Sequence, residues 1–381
     1  MSALLKKIDE IGAGADCSCG ESCCGASPTD SRSLIQAATL VAPWITGRIE
    51  TAGGPIPVVA DRLSRRDKLG AVKARFGVGR MSYAVPPGIY AVGRPDPWSP
   101  VLVTANYKLS FDAVRASLAG RSAWILVLDT RGINVWCAAG KGTFGTEELI
   151  ARVKETGLAE VVSHRTLILP ELGAPGIASH LVVKGCGFRV VFGPVRAADI
   201  PAFLDAGMKA DPEMRRVRFS FRDRIVLAPI EIVGVMINRY FLILLGLWLI
   251  GLFGVKFLSF DMLAILGAIF AGTVLVPALL PWIPGRAFAL KGALVGLAWA
   301  AAVCLFRGVP AASAASWAAA ISYIMLLPAL SAFLAMNFTG SSTITSLSGV
   351  VREMRTAVPL MIGAAVVGAG AMIAGIFLPK V

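Results

Sequence analysis

Charge is scarce in this chain. Only 16% of its 381 residues are Asp, Glu, Lys or Arg, against 56% hydrophobic, and the mean hydropathy is +0.70. That balance excludes an ordinary soluble globular protein. The deficit is uneven: from about Tyr240 to Val381 charges almost vanish, whereas Met1 to Arg239 has the composition of a soluble α/β protein. Met1 to Asp16 lacks the apolar run of a secretory signal, so the soluble half is expected in the cytoplasm. A basic patch interleaved with stacking aromatics is missing too. The formal net charge is +13, but its densest run (Arg215, Arg216, Arg218, Arg222 and Arg224) stands just before the first long apolar stretch, where the positive-inside rule places it. Nucleic acid is not expected as a partner.

What is present falls into three parts. Residues 1–30 read as a flexible tail rich in Gly, Ser and Cys, residues 31–225 as a cytoplasmic α/β domain, and residues 226–381 as an all-α transmembrane domain. In the α/β part, strands are expected at Val101–Thr104, Trp124–Asp129, Val161–Val162, Thr166–Leu169 and Phe188–Phe192. Helices are expected at Phe111–Leu118, Thr146–Thr156, Gly176–Val183 and Asp199–Ala206, with Thr146 as an N-cap. This alternation favours a parallel sheet covered on both faces. Five apolar stretches approach the ~20 residues of a membrane-crossing helix: Ile237–Val255, Met262–Leu280, Phe288–Phe306, Trp317–Met336 and Val358–Leu378. Pro277 and Pro328 are expected to kink their spans, and Lys291 to snorkel to an interface. The Arg run orients the N-terminus to the cytoplasm in an inner membrane.

The seven cysteines are Cys17, Cys19, Cys23, Cys24, Cys137, Cys186 and Cys304. In a reducing cytoplasm they read as thiols or ligands rather than a disulfide frame. Cys137 follows the strand Trp124–Asp129, at the strand end where open α/β sheets bind ligands. A lone cysteine is also a common small core residue. Ala138, Ala139 and Gly140 beside it would let a large flat molecule approach the backbone. Gly140-Lys141-Gly142-Thr143-Phe144-Gly145 matches G-x-G-x-x-G, but the strand ends too far upstream for a dinucleotide fingerprint, and Lys141 is followed by Gly142, which rules out a P-loop. The run is either a phosphate cradle or a glycine-rich turn.

The eight residues Asn134-Val135-Trp136-Cys137-Ala138-Ala139-Gly140-Lys141 resemble the signature of the mercury-methylating corrinoid proteins. Leu172-Gly173-Ala174-Pro175-Gly176 and Gly193-Pro194-Val195-Arg196 resemble segments of the related corrinoid iron–sulfur protein family. The resemblance implies a Rossmann-like corrinoid-binding domain holding a cobalamin or related cobamide. Cys137 would be the lower axial ligand to cobalt, and Asn134, Val135, Trp136, Ala138, Ala139, Gly140, Lys141, Gly142 and Thr143 would lie along the cofactor. It further implies methyl transfer to Hg(II) giving methylmercury, a methyl-folate-linked donor, and a ferredoxin-like iron–sulfur protein as electron donor. Trp136 either packs on the corrin or belongs to the core. Asn134 either bonds the thiolate or corrin amides or caps the local turn, and Lys141 either meets the cofactor phosphate or is solvated. His164 and His180, the only histidines, do not stand in the D-x-H-x-x-G pattern of histidine-ligated cobalamin modules. Cys17, Cys19, Cys23 and Cys24 suit capture of a soft metal such as Hg(II). Two other functions fit parts of the pattern: a membrane-anchored corrinoid methyl carrier of one-carbon and acetyl-CoA metabolism, and a transporter with a cytoplasmic regulatory domain.

Overall fold

The computed structural model describes residues 42–252, 261–308, 313–341 and 347–378. Cys17, Cys19, Cys23 and Cys24, with the whole expected tail, lie outside the described residues. The described chain forms two compact units, one of residues 42–74 and 78–218 and one of residues 75–77 and 219–378.

The first unit is built on a seven-stranded mixed sheet. Its strands are β1 (Ile45–Thr51), β2 (Gly54–Val59), β3 (Gly88–Val92), β4 (Val101–Ala105), β5 (Ala123–Leu128), β6 (Thr166–Leu169) and β7 (Arg189–Phe192), in the order β1-β2-β3-β5-β4-β6-β7. β5, β4, β6 and β7 are mutually parallel. The expected all-parallel sheet is corrected on the other side, where β3 runs antiparallel to β5 and β1–β2 is an antiparallel hairpin. The expected strand at Val161–Val162 is corrected as well: Val161 ends the short helix Leu158–Val161. Two adjacent β-branched residues report burial, not strand, when the run is this short.

Every residue of β4 and β5 is buried. Alternate side chains enter opposite cores, as the two-residue period of a strand requires. Val101, Val103, Trp124, Leu126 and Leu128 join one core, with Leu149, Val153 and Val182 from covering helices. Leu102, Ile125 and Val127 join the other, with Phe111, Leu118 and Phe203. The helices of this unit are α1 (Arg65–Arg75), α2 (Lys108–Ser117), α3 (Val135–Gly140), α4 (Thr146–Glu155), α5 (Leu158–Val161), α6 (Ser179–Cys186) and α7 (Ile200–Asp205).

Beneath α2 lies a buried ion cluster. Lys108 Nζ donates to Asp112 at 2.6 Å and to Asp67 at 3.0 Å, while Arg115 meets Asp112 at 2.7 Å and Asp67 at 3.0 Å. Burial alone would raise the Asp67 carboxyl. The Ser64 hydroxyl and backbone N–H and the Lys108 ammonium outweigh it, and hold the group well below the usual carboxylate range. Burial, and then the charges of Asp112 and Asp67, push the neighbouring Tyr83 hydroxyl up to about 12.

The second unit is all-helical and apolar. Four of its helices are long and apolar enough to cross a membrane: Met262–Leu279, Phe288–Phe306, Ala314–Asn337 and Gly349–Phe377. The first stretch expected from sequence is different. It belongs to a pair, Phe221–Met236 and Arg239–Ile250, bent by 61° at a short break, so a fifth span exists only if the bent pair is counted as one. Ahead of Pro277 the second stretch passes through a π-helical turn at Ala271–Leu275, a usual accommodation for an interrupted hydrogen-bond ladder. Gly292 and Gly296 let the helix Phe288–Phe306 lie against Ala314–Asn337; a Cβ on either would stand 2.6 Å from Ala332 Cα or 2.7 Å from Pro328 Cα. This is the small-residue packing common between apolar helices. Lys291 is buried rather than snorkelling: its ammonium donates to the carbonyls of Leu280 and Ile283, both at 2.6 Å, oxygens left over where the preceding helix ends. Arg224, counted above in the basic run, is also buried and donates to the carbonyls of Phe219 and Ala278.

Removing one member of the ion cluster strands the opposite charges, at a cost of about 3–5 kcal/mol. Lys108→Met is therefore expected to lower the urea midpoint of the first unfolding transition of the full-length protein; an unchanged midpoint would show the cluster to be dispensable. Asp67's contribution to stability is complete above about pH 4, the ordinary Asp value. It is withdrawn as the pH falls toward the depressed folded value.

Candidate functional site at the carboxyl edge of the sheet

β5 ends at Leu128, and the chain turns through Asp129-Thr130-Arg131-Gly132-Ile133 before α3 begins. The turn is sharp. Arg131 and Gly132 both take left-handed backbone conformations, φ 57° and 72°, which costs a non-glycine residue about 1–2 kcal/mol. Asn106, next after β4, holds the turn. Its Oδ1 accepts from the Gly132 N–H at 2.9 Å, the Thr130 N–H at 3.2 Å and the Thr130 hydroxyl at 2.8 Å. Its Nδ2 donates to Asp129 Oδ1 at 3.1 Å, and the same oxygen accepts from the Arg131 N–H at 3.0 Å. Asn106 is 6% exposed, so the Thr130 and Gly132 donors have little water to turn to.

Cys137 sits in the first turn of α3 and is half-buried. Asn134 is the N-cap: its Oδ1 accepts from the Cys137 N–H at 2.9 Å. Of the alternatives open from sequence, the helix cap is the one observed. Val135, Ala138 and Ala139 face the core, while Trp136 is half-buried and belongs to neither core cluster. Lys141 is exposed.

The glycine run after Cys137 ends the helix. Gly142, just past the C-cap Lys141, takes φ 78°, and the Phe144 N–H returns to the Ala138 carbonyl at 3.1 Å, a left-handed helix stop. A Cβ on Gly140 or Gly142 would meet nothing within 4 Å, so this side of the segment is open. The expected N-cap Thr146 is corrected to Gly145; the Thr146 hydroxyl instead accepts from the Ala178 N–H at 2.8 Å.

Leu172-Gly173-Ala174-Pro175-Gly176 lies in a 3₁₀ turn, Glu171–Gly176, following β6. Glycine is needed there for close approach. A Cβ on Gly173 would press on the Phe144 ring at 2.5 Å, and one on Gly176 would collide with the Phe144 carbonyl oxygen and stand 3.3 Å from Ala139 Cα. Two of the segments singled out in sequence, about 35 residues apart, are thus packed together at the carboxyl ends of β5 and β6.

Among the described residues, no three His, Cys, Asp or Glu side chains converge as a metal-binding group. His164 is satisfied by the Ser99 carbonyl at 2.9 Å and the Thr166 N–H at 3.2 Å; His180 is exposed. A cavity of about 550 Å³ lies at the amino ends of the parallel strands, between Trp98, Arg121, His164 and Met208. None of the residues singled out from sequence as lying along the cofactor lines it.

Sequence reasoning missed Asn106 and Glu171. Neither stands in the eight-residue segment; the only signal for each is a polar residue at the end of an apolar strand.

Residues 76–204 match the family model described as the CO dehydrogenase/acetyl-CoA synthase delta subunit. The acetyl-CoA decarbonylase/synthase complex subunit gamma of Methanothermobacter thermautotrophicus is 37% identical over 128 residues, 33% of this chain and 28% of the relative. The same subunit of Methanopyrus kandleri is 35% identical over 123 residues, 32% of this chain and 26% of the relative. That of Methanocaldococcus jannaschii is 40% identical over 97 residues, 25% of this chain and 20% of the relative. The chain thus spans between a fifth and 28% of the length of these curated relatives.

Asn106→Ala leaves the buried Thr130 amide and the part-buried Gly132 amide without their acceptor, at about 1–3 kcal/mol. Hydrogen exchange of a peptide covering residues 129–140 is expected to speed up while β7 stays protected. Unchanged exchange in that peptide would mean the turn is held by something else.

Proposed function

We propose that the α/β unit is a Rossmann-like corrinoid-binding domain, and that the chain is a membrane-anchored corrinoid-dependent methyltransferase acting on Hg(II). The observation that carries the reading is the place of Cys137: a half-buried thiol in a fixed first turn, beyond the carboxyl end of a strand buried on both faces. Such strand ends are where α/β sheets bind ligands.

The residues present fit a corrinoid. A macrocycle brings its own metal ligands, so the protein would need to add one donor and not a cluster of them. Cys137 is such a donor, and a thiolate is a strong one. Gly140 and Gly142 leave open space for a large flat group, and Glu171 Oε2 is a buried polar atom with no hydrogen-bond partner. When bound, a corrinoid supplies a cobalt centre that takes up and gives away a methyl group. The chain's task is then to hold that centre. Cys137 would be the residue that ligates it, Asn134 and Asn106 fix the turn that carries the sulfur, and Trp136 would pack on the macrocycle. Val135, Ala138 and Ala139 set the depth of α3, while Lys141, Gly142 and Thr143 would meet the nucleotide tail. Methyl groups come from a methyl-folate-linked donor and electrons from a ferredoxin-like iron–sulfur protein.

Hg(II) as acceptor is supported by the signature segment and by the apolar unit, which the matched residues 76–204 do not include. Leu360, Val366 and Phe377 are 74%, 67% and 79% exposed on the last helix. Large apolar side chains so exposed are suited to lipid. Cys17, Cys19, Cys23 and Cys24 are assigned to soft-metal capture. A second reading, a corrinoid methyl carrier of one-carbon metabolism, is favoured by the likeness to acetyl-CoA decarbonylase/synthase gamma subunits.

Full-length protein loaded with cobalamin is expected to show a thiolate–cobalt absorption band that is absent in Cys137→Ala; coincident spectra would overturn the axial assignment. The methyl-loaded protein is expected to convert Hg(II) to methylmercury. Failure there, with methyl transfer to another acceptor intact, would leave the carrier reading. Replacing the four tail cysteines by Ser is expected to slow methylation severalfold at limiting Hg(II) and little at saturation, and an equal rate at limiting Hg(II) would remove the capture role.

A further inference from the structure

One charged group at the carboxyl edge has no partner suited to it. Glu171 opens the 3₁₀ turn after β6. Its Oε2 is buried with no hydrogen-bond partner. Its Oε1 lies 3.8 Å from Arg215 Nη1, an ion-pair distance too long for a hydrogen bond. The side chain is 26% exposed, so it stands at the rim of the edge and not deep in the core. A carboxylate partly withdrawn from water without donors is costly, and a persistent one in a fold calls for an explanation.

Its position supplies one. The turn that begins at Glu171 ends against Ala139 and Phe144, the segment that follows Cys137. In the sheet β6 is separated from β5 by β4 alone, two strand spacings or roughly 10 Å. A macrocycle centred near Cys137 and lying over this edge would extend its peripheral arms toward β6. Those arms end in carboxamides, whose N–H₂ groups donate. An ionised carboxylate only accepts, so Glu171 complements an amide arm and opposes a carboxylate arm.

We infer that Glu171 accepts a hydrogen bond from a peripheral carboxamide of the corrinoid, so that the site selects amidated over acidic corrinoids. This rests on the corrinoid reading above. Glu171 acts as a binding and selectivity residue, with no part in the transfer itself. Arg215 steadies the carboxylate through its other oxygen, Oε1, at 3.8 Å.

The test uses full-length protein in detergent, titrated separately with cobinamide, which is fully amidated, and with cobyrinic acid, its carboxylic counterpart. Binding is read by the corrin absorption shift. Glu171→Gln is expected to weaken cobinamide by roughly tenfold, the scale of one charge-assisted hydrogen bond, while cobyrinic acid binding is unchanged or tighter. Equal weakening of both corrinoids would mean a merely structural role and overturn the inference; so would no change in either. Cys137→Ala serves as the separating control: it is expected to lose the thiolate band yet keep the wild-type preference for the amide. If wild-type protein binds neither corrinoid, the functional reading fails and this inference with it. If wild type binds cobinamide with its thiolate band and only the Glu171 effect is missing, the functional reading stands alone.

Discussion

The two central strands are buried on both faces, and the rest of the α/β unit follows from that constraint. With every side chain of β4 and β5 inside, polar chemistry is displaced to the strand ends. There the backbone leaves the ladder and must be satisfied by side chains. Asn106 does this at the end of β4, and the Asp129–Ile133 turn does it at the end of β5. The thiol of Cys137 is fixed because it belongs to the first helical residues after that turn. A sheet with one solvated face would impose no such concentration of function at its edge.

The same edge explains why two glycine-rich segments matter together. Phe144 is fully buried, and its ring and carbonyl lie where Gly173 and Gly176 have no side chain. The glycines permit the 3₁₀ turn after β6 to close on α3, and so carry Glu171 to the edge that bears Cys137. Backbone contact thus links residues that share no local sequence relation. The left-handed pair Arg131–Gly132 is tolerated because Asn106 and Asp129 bond the amides of that turn, strain held in place by surrounding hydrogen bonds.

In the apolar unit the dominant device is close approach of helices at glycine, supplemented by polar groups that meet backbone carbonyls. Lys291 and Arg224 are both buried and both end on carbonyl oxygens. Glu353 accepts from the Ala289 N–H at 2.6 Å at the start of Phe288–Phe306, so a carboxylate caps a helix from a distant segment. An apolar chain still has helix ends to satisfy, and these charged residues satisfy them.

Sequence by itself determined the division into a soluble-type half and an apolar half, because hydropathy is a sum over local composition. It also located β4 to β7 and the helices α2, α4, α6 and α7 within a few residues, because strand and helix periods are local. It singled out Cys137 because Trp and Cys in a short segment are rare enough to compare. It did not give the local hairpin β1–β2, nor β3, whose pairing with β2 and antiparallel placement beside β5 are long-range. The cap role of Asn134 lay within reach of sequence as one of two options, and geometry decided between them. Asn106 and Glu171 were decided by tertiary structure alone. Hydrogen bonds and orphaned charge depend on which strand ends lie side by side, and strand order is set by packing between residues far apart in the chain.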